Sequence, residues 1–205
     1  MNAPAIRAIE THYRGYRFRS RLEARWAVFF DAFGGPAPGV AWVEWEYEKE
    51  GYDLGAHGRY LPDFWLPKHR VWVEIKGQHP HEDEVEKARL LVEATGSPAV
   101  IFHGLPGQHA GAAFAADISD SSGGYGDWSA IRWFVCGVCG RPDVTLGDPR
   151  HHIVGPRWED IGNCWCGHHG HAMDAGAIGP GTGDPRLALA FAAARAARFE
   201  HGERG

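Results

Sequence analysis

Apolar residues recur every three or four positions from Leu22 through Trp26, Phe29, Phe30 and Phe33, between a Ser20/Glu23 capping-box spacing and the breaker Gly34-Gly35-Pro36. That period predicts one amphipathic helix. From Val40 to Glu48 the period drops to two: Val43, Trp45 and Tyr47 alternate with Glu44, Glu46 and Glu48, as in a strand with one face in the core and one in water. "GYDLGAHGR" then reads as a turn, Tyr60 to Leu66 as a short strand, Pro67-Lys68-His69 as a tight turn and Arg70 to Lys76 as a third strand closing a hairpin. A second helix is predicted over Glu82 to Thr95, with Val85, Ala88, Leu91 and Val92 on one face, acidic residues in the first turn and Gly96 as terminator. The apolar run "PAVIFHG" follows as a buried strand, parallel to its predecessor because a helix intervenes. The predicted order is α, β, β, β, α, β.

Beyond this core the pattern weakens. Residues 105–126 are rich in Gly, Ala and Ser and read as a long loop with room for one short element, and Trp128 to Val135 supplies a further strand. Residues 136–171 carry Cys, His, Gly and Pro with little periodicity, as expected of a small module held by a metal instead of a core. An alanine-rich helix over residues 186–199, capped by Asp184 with Pro185 at its first position, is expected to dock back on the main domain. The expected division is therefore a core at 1–127, a Cys/His module at 128–175, and a linker with a C-terminal helix at 176–205.

Composition narrows the function classes. With 205 residues, 44% of them hydrophobic, the chain can bury a real core. No apolar run approaches the roughly 20 residues that span a bilayer, and the first residues lack the apolar stretch of a signal peptide, so the expectation is a cytoplasmic protein without a membrane partner. A net charge of −5 does not advertise a nucleic-acid binder. The charge is uneven, however: Arg7, Arg14, Arg17, Arg19, Arg21 and Arg25 crowd the start of the chain. The cluster reads as a local phosphate-facing surface or as a solvated charged face, while the net acidic charge implies either a confined basic groove or a basic partner, with a homodimer or a protein partner among the expectations.

Chemistry concentrates in the predicted hairpin. Asp63 follows Pro62 in one strand, and Glu74 and Lys76 stand two apart in the next, hence on one face of the sheet. Two carboxylates on a buried face need a cation, either Lys76 or a hard divalent metal bound through carboxylates, a backbone carbonyl and water. The metal would lower the pKa of a bound water and neutralise charge on a phosphate oxygen, with the lysine orienting that water. The bland alternative for Glu74 and Lys76 is an exposed cross-strand ion pair.

Pro62-Asp63, ten residues, then Glu74-Ile75-Lys76 resembles the signature of the PD-(D/E)xK nuclease superfamily, and the element order is similar to that superfamily's core over roughly residues 15 to 104. The resemblance implies an α/β fold with a restriction-endonuclease-like mixed central sheet flanked by helices, joined here to a small zinc-knuckle module and a C-terminal helix. It implies a metal-dependent nuclease acting on DNA in preference to RNA. Asp63, Glu74 and the carbonyl of Ile75 would bind Mg²⁺ or Mn²⁺, Lys76 would serve the attacking water, and Glu23, from the preceding helix, would assist. Gln78 resembles the glutamine of the RecB and lambda-exonuclease branch, whose tyrosine four residues further on is replaced here by Glu82. The helix "RSRLEARWAVFFDAFG" resembles the opening of TnsA-like and phage-encoded members.

Cys136-x-x-Cys139 and Cys164-x-Cys166 supply four thiolates at tetrahedral zinc spacing, in a module that also holds His151, His152, His168, His169 and His171. Four cysteines make the simplest structural Zn²⁺ site, and a cysteine–histidine mixture is the alternative. In outline, "CGVCG", "HHIVG", Asn163 and "CWCGHHGH" also resemble an HNH nuclease, in which His152 would activate water and Asn163 and His171 would hold the site. The second cysteine pair lies closer to the asparagine than HNH knuckles place it. A non-catalytic DNA-binding subunit on a decayed nuclease core is the third reading.

Overall fold

The computed structural model describes residues 9–33, 43–109, 111–114, 131–135, 142–146, 151–152 and 184–199. The chain enters through a two-stranded hairpin, β1 (Thr11–Tyr13) and β2 (Tyr16–Phe18), paired antiparallel with Tyr13 opposite Tyr16. Its two-residue loop, Arg14-Gly15, has positive φ at both positions (49° and 83°), the hand that suits the twist of a tight hairpin. Helix α1 (Arg21–Ala32) follows at once, with the Ser20 side chain accepting the Glu23 N–H.

Five short strands come next: β3 (Glu46–Tyr47), β4 (Tyr52–Asp53), β5 (Arg59–Tyr60), β6 (Phe64–Leu66) and β7 (Val71–Lys76). Helix α2 (Glu82–Thr95) crosses over to β8 (Ala99–His103), and β9 (Ala112–Phe114) closes the core. Among the described residues, the further elements are β10 (Ile131–Val135), β11 (Pro142–Leu146), β12 (His151–His152) and helix α3 (Pro185–Ala196).

The central sheet has the order β3-β6-β7-β8-β9 and is mixed: only β7 and β8 run parallel, as the crossover through α2 demands. Strand β7 alternates its burial between two covers. Val71, Val73 and Ile75 pack with Phe64, Val100 and Phe102 against the α1 residues Trp26, Phe29 and Phe30. Trp72 packs with Ile101 and Phe114 against Ala88, Leu91 and Val92 of α2. The result is helix, sheet, helix, with aromatic side chains filling the α1 layer; truncating one of these, such as Phe30, to alanine costs about 3–5 kcal/mol. Leu187, Ala190 and Ala194 of α3 join the same layer, and Phe191 stacks on Phe29 with ring centroids 5.1 Å apart. The C-terminal helix packs on the core, and so does Trp133 of β10, 4% exposed among Phe29, Phe30 and Phe33, although the sequence division put it in the Cys/His module.

Three expectations need correction in detail. The strand predicted over 40–48 is a ladder of two residues, Glu46 and Tyr47, among described residues 43–50; Glu48 turns into the left-handed region at φ 46° and ends it. The single strand predicted from Tyr60 to Leu66 is two strands in different sheets, β5 pairing with β4 and β6 pairing with β3 and β7. Pro62, with no N–H to give a ladder, separates them. The stretch read as a turn, 51–59, holds β4, a 3₁₀ turn at Gly55–His57 and the start of β5. The helices match closely, down to Asp184 capping α3 and Gly96 ending α2 in the left-handed conformation.

Cys136, Cys139, Cys164, Cys166, Asn163, His168, His169 and His171 lie outside the described residues. His152 is in β12, opposite Thr145 of β11.

Candidate active site

Asp63 sits one residue before β6, where the register that pairs Phe64 with Val73 sets it opposite Glu74. The backbone fixes its carboxylate: the Ile75 N–H donates to Asp63 Oδ2 at 2.7 Å, and the Asp63 N–H lies 3.3 Å from Glu74 Oε2. On its other side the Asp63 carbonyl accepts the Glu48 N–H at 2.9 Å. Both carboxylates are buried, at 2% and 7% exposure. Lys76 Nζ stands 2.7 Å from Glu74 Oε1 and 3.1 Å from Glu84 Oε1 of α2. The three residues expected from the sequence thus converge at the C-terminal end of β7.

Glu23 joins them from the other cover. It is buried, and its carboxylate accepts from the Ser20 hydroxyl at 2.7 Å, the Tyr47 hydroxyl at 2.5 Å and the Arg19 backbone N–H at 3.2 Å. It is at once part of the α1 cap and close enough to Asp63 to act on its charge. Burial drives the Asp63 carboxyl well above the usual carboxylate range, helped by the facing Glu74 and by Glu23; Arg19 and the Ile75 N–H oppose this. Burial pulls the Lys76 ammonium down, but the Glu74 carboxylate and the bonds to Glu74 and Glu84 outweigh it, so Lys76 stays charged. Tyr60, hydrogen-bonded to Glu74, has its phenol pushed well up by burial and by that carboxylate.

Four contributors escaped the sequence reading in these roles: Arg19, Tyr47, Tyr60 and Glu84. Arg19 spans the cluster: its guanidinium bonds Asp63 Oδ1 and lies 2.8 Å from Glu48 Oε1, while its backbone N–H donates to the Tyr47 hydroxyl oxygen at 3.0 Å. Glu84 does two jobs, accepting the His81 N–H at the start of α2 and holding Lys76. A glutamate three residues inside a helix start was the available signal. Gln78 is exposed in the bend after β7. Beside the cluster, His103, opposite Lys76 in register, faces His79 and His109 at ring-centroid distances of 5.5 and 4.4 Å.

In kind, the donors suit a hard divalent cation: carboxylate oxygens and a backbone carbonyl, with no thiolate among the residues brought together here. In position, their oxygens are engaged by Arg19, Lys76, Tyr47 and backbone N–H groups, and among the described residues no group of three Asp, Glu, His or Cys side chains is arranged to hold a metal ion. Among the described residues, no helix is long and apolar enough to cross a membrane. The chain matches no known protein-family model, and neither the curated proteins nor the solved structures contain a match to it.

Proposed function

We propose that this chain is a metal-dependent hydrolase of phosphodiester bonds, a nuclease on a restriction-endonuclease-like core. More particularly, its substrate in this reading is DNA in preference to RNA, and its cofactor Mg²⁺ or Mn²⁺ held by Asp63, Glu74 and the Ile75 carbonyl. The observation that carries it is the meeting of two buried, facing carboxylates with a lysine at one end of the central sheet. The half-exposed Arg19 at the site adds positive charge of the kind that a phosphate backbone requires.

When bound, the divalent ion would polarise a water and neutralise charge gathering on the phosphoryl oxygens. The protein's part is positioning. Lys76 commits two contacts to Glu74 and Glu84, which leaves one N–H of its ammonium to orient the attacking water or bind a phosphoryl oxygen. The Ile75 N–H fixes the angle of the Asp63 carboxylate, and Tyr60 and Lys76 fix that of Glu74. Glu23, oriented by Ser20 and Tyr47, contributes negative charge beside Asp63. The cysteine quartet is proposed as a structural Zn²⁺ site.

The test is direct. Purified protein is expected to nick or degrade DNA with Mg²⁺ or Mn²⁺ and to stop on chelation, and Lys76→Ala is expected to lower the rate by at least about 100-fold. His152→Ala should cleave normally. Undiminished cleavage by Lys76→Ala overturns the reading, and loss of activity in His152→Ala alone moves the chemistry to the histidine-rich module.

A further inference from the structure

The Asp63 carboxylate already has a cation. Its Oδ1 is bonded by the Arg19 guanidinium, whose Nε lies 2.8 Å from Glu48 Oε1 and 4.0 Å from Glu23 Oε2. Lys76 is committed elsewhere, to Glu74 and Glu84. The two facing carboxylates therefore carry separate positive partners, and Arg19 occupies one of the two Asp63 oxygens through which that residue would hold a cation. The two ends of this contact differ sharply in exposure: the Asp63 side chain is 3% exposed and the Arg19 side chain 52%. A half-exposed guanidinium can leave for water at little cost, whereas the buried carboxylate cannot follow it. A guanidinium is also a delocalised single charge, weakly hydrated and long in reach, and a compact divalent ion outcompetes it for carboxylate oxygen once dehydrated.

We infer that Arg19 is an exchangeable counter-cation of the candidate site: it neutralises Asp63 in the metal-free protein and must give up that carboxylate when a divalent cation binds. Glu48 keeps the released side chain beside the site, where a planar fork of donors is suited to a backbone phosphate. The anchoring is specific to this residue. Arg19 directly precedes the α1 cap, and its own N–H is held by Glu23 and Tyr47, so its backbone cannot drift while its side chain changes partner. The inference rests on the nuclease reading only in assuming that Asp63 binds the ion.

The experiment is Mn²⁺ titration of the full chain, followed by calorimetry or by the loss of the free-ion resonance, at one pH and physiological salt. Arg19→Ala is expected to bind Mn²⁺ about tenfold more tightly than the unmodified chain, because one partly screened positive charge within roughly 4 Å has been removed. Lys49→Ala removes an exposed charge that pairs with Glu46 and should change the affinity by less than about twofold. Arg19→Gln keeps a neutral donor for Asp63; should Arg19→Ala fold poorly, the rise in melting temperature on adding Mn²⁺ must be larger in Arg19→Gln than in the unmodified chain. Equal or weaker Mn²⁺ binding in both Arg19 variants overturns the exchange while leaving the nuclease reading intact, and so does an equal gain in Lys49→Ala. Mn²⁺ binding that is absent, or that survives Asp63→Asn, removes Asp63 from the metal site and overturns both.

Discussion

Asp63 places a carboxylate where burial, Glu74 and Glu23 all oppose its charge, while Arg19 and the Ile75 N–H support it. Asp63→Asn keeps the bond from the Ile75 N–H, relieves the repulsion and leaves Arg19 half-exposed, so no uncompensated charge is trapped. The variant is expected to melt at the same temperature as the parent or above it, by up to about 1 kcal/mol of stability, while losing metal-dependent cleavage. A clear fall in melting temperature would show instead that the Arg19 pair stabilises more than the carboxylates repel. Glu84→Gln, which loosens Lys76 without touching either facing carboxylate, is expected to slow single-turnover cleavage by about 10- to 100-fold with the fold unchanged. Asp63, Glu74 and Lys76 were legible because strand periodicity alone puts Glu74 and Lys76 on one face and a hairpin brings Asp63 opposite. Arg19, Tyr47 and Glu84 were not legible in these roles, because they approach from a helix entry, an edge strand and a second helix. No spacing along the chain encodes that meeting.

The helices are governed by local chemistry. Asp184 caps α3 by accepting the Arg186 N–H at 2.8 Å and also pairs with the Arg186 side chain, which holds its carboxyl below the ordinary value near 3.9 despite partial burial. A carboxylate depressed by folding adds stability above its unfolded pKa and loses that increment as pH falls through the lower folded value. Urea unfolding of the parent and Asp184→Asn, which still caps but carries no charge, should therefore differ at about pH 6 and converge as pH falls through the lowered folded pKa of Asp184. A difference that persists there would assign the effect to packing. Gly96, at φ 66° beyond the end of α2, should cost about 1 kcal/mol when replaced by alanine, read from the same unfolding curves. Caps and breakers such as these lie within a few residues of what they control, and the three helices among the described residues were accordingly readable to within a few residues. Strands of two or three residues depend on partners far along the chain, so the division of 59–66 between two sheets was visible only in Pro62, and the hairpin at 11–18 only in Arg14-Gly15.

Across the whole molecule, α1 is the element on which distant parts rely. Its N-terminus holds Ser20 and Glu23 at the candidate site, and its apolar side receives the sheet, Trp133 and α3. Removing residues 184–205 would bare Phe29 and its neighbours in the α1 layer, and the shortened chain is expected to unfold at lower temperature and to associate, as judged by melting and by sedimentation. An unchanged melting temperature would mean that α3 is an ornament on a core complete without it. The docking of α3 also has a consequence in time. All the residues gathered at the candidate site lie between Arg19 and His109, whereas α3 begins at Pro185. At roughly 5 to 20 residues per second, a ribosome needs about 4 to 15 seconds to make the stretch between them. For that interval the nascent chain carries a finished set of site residues on a helix whose α3-facing side, Phe29 included, is still uncovered.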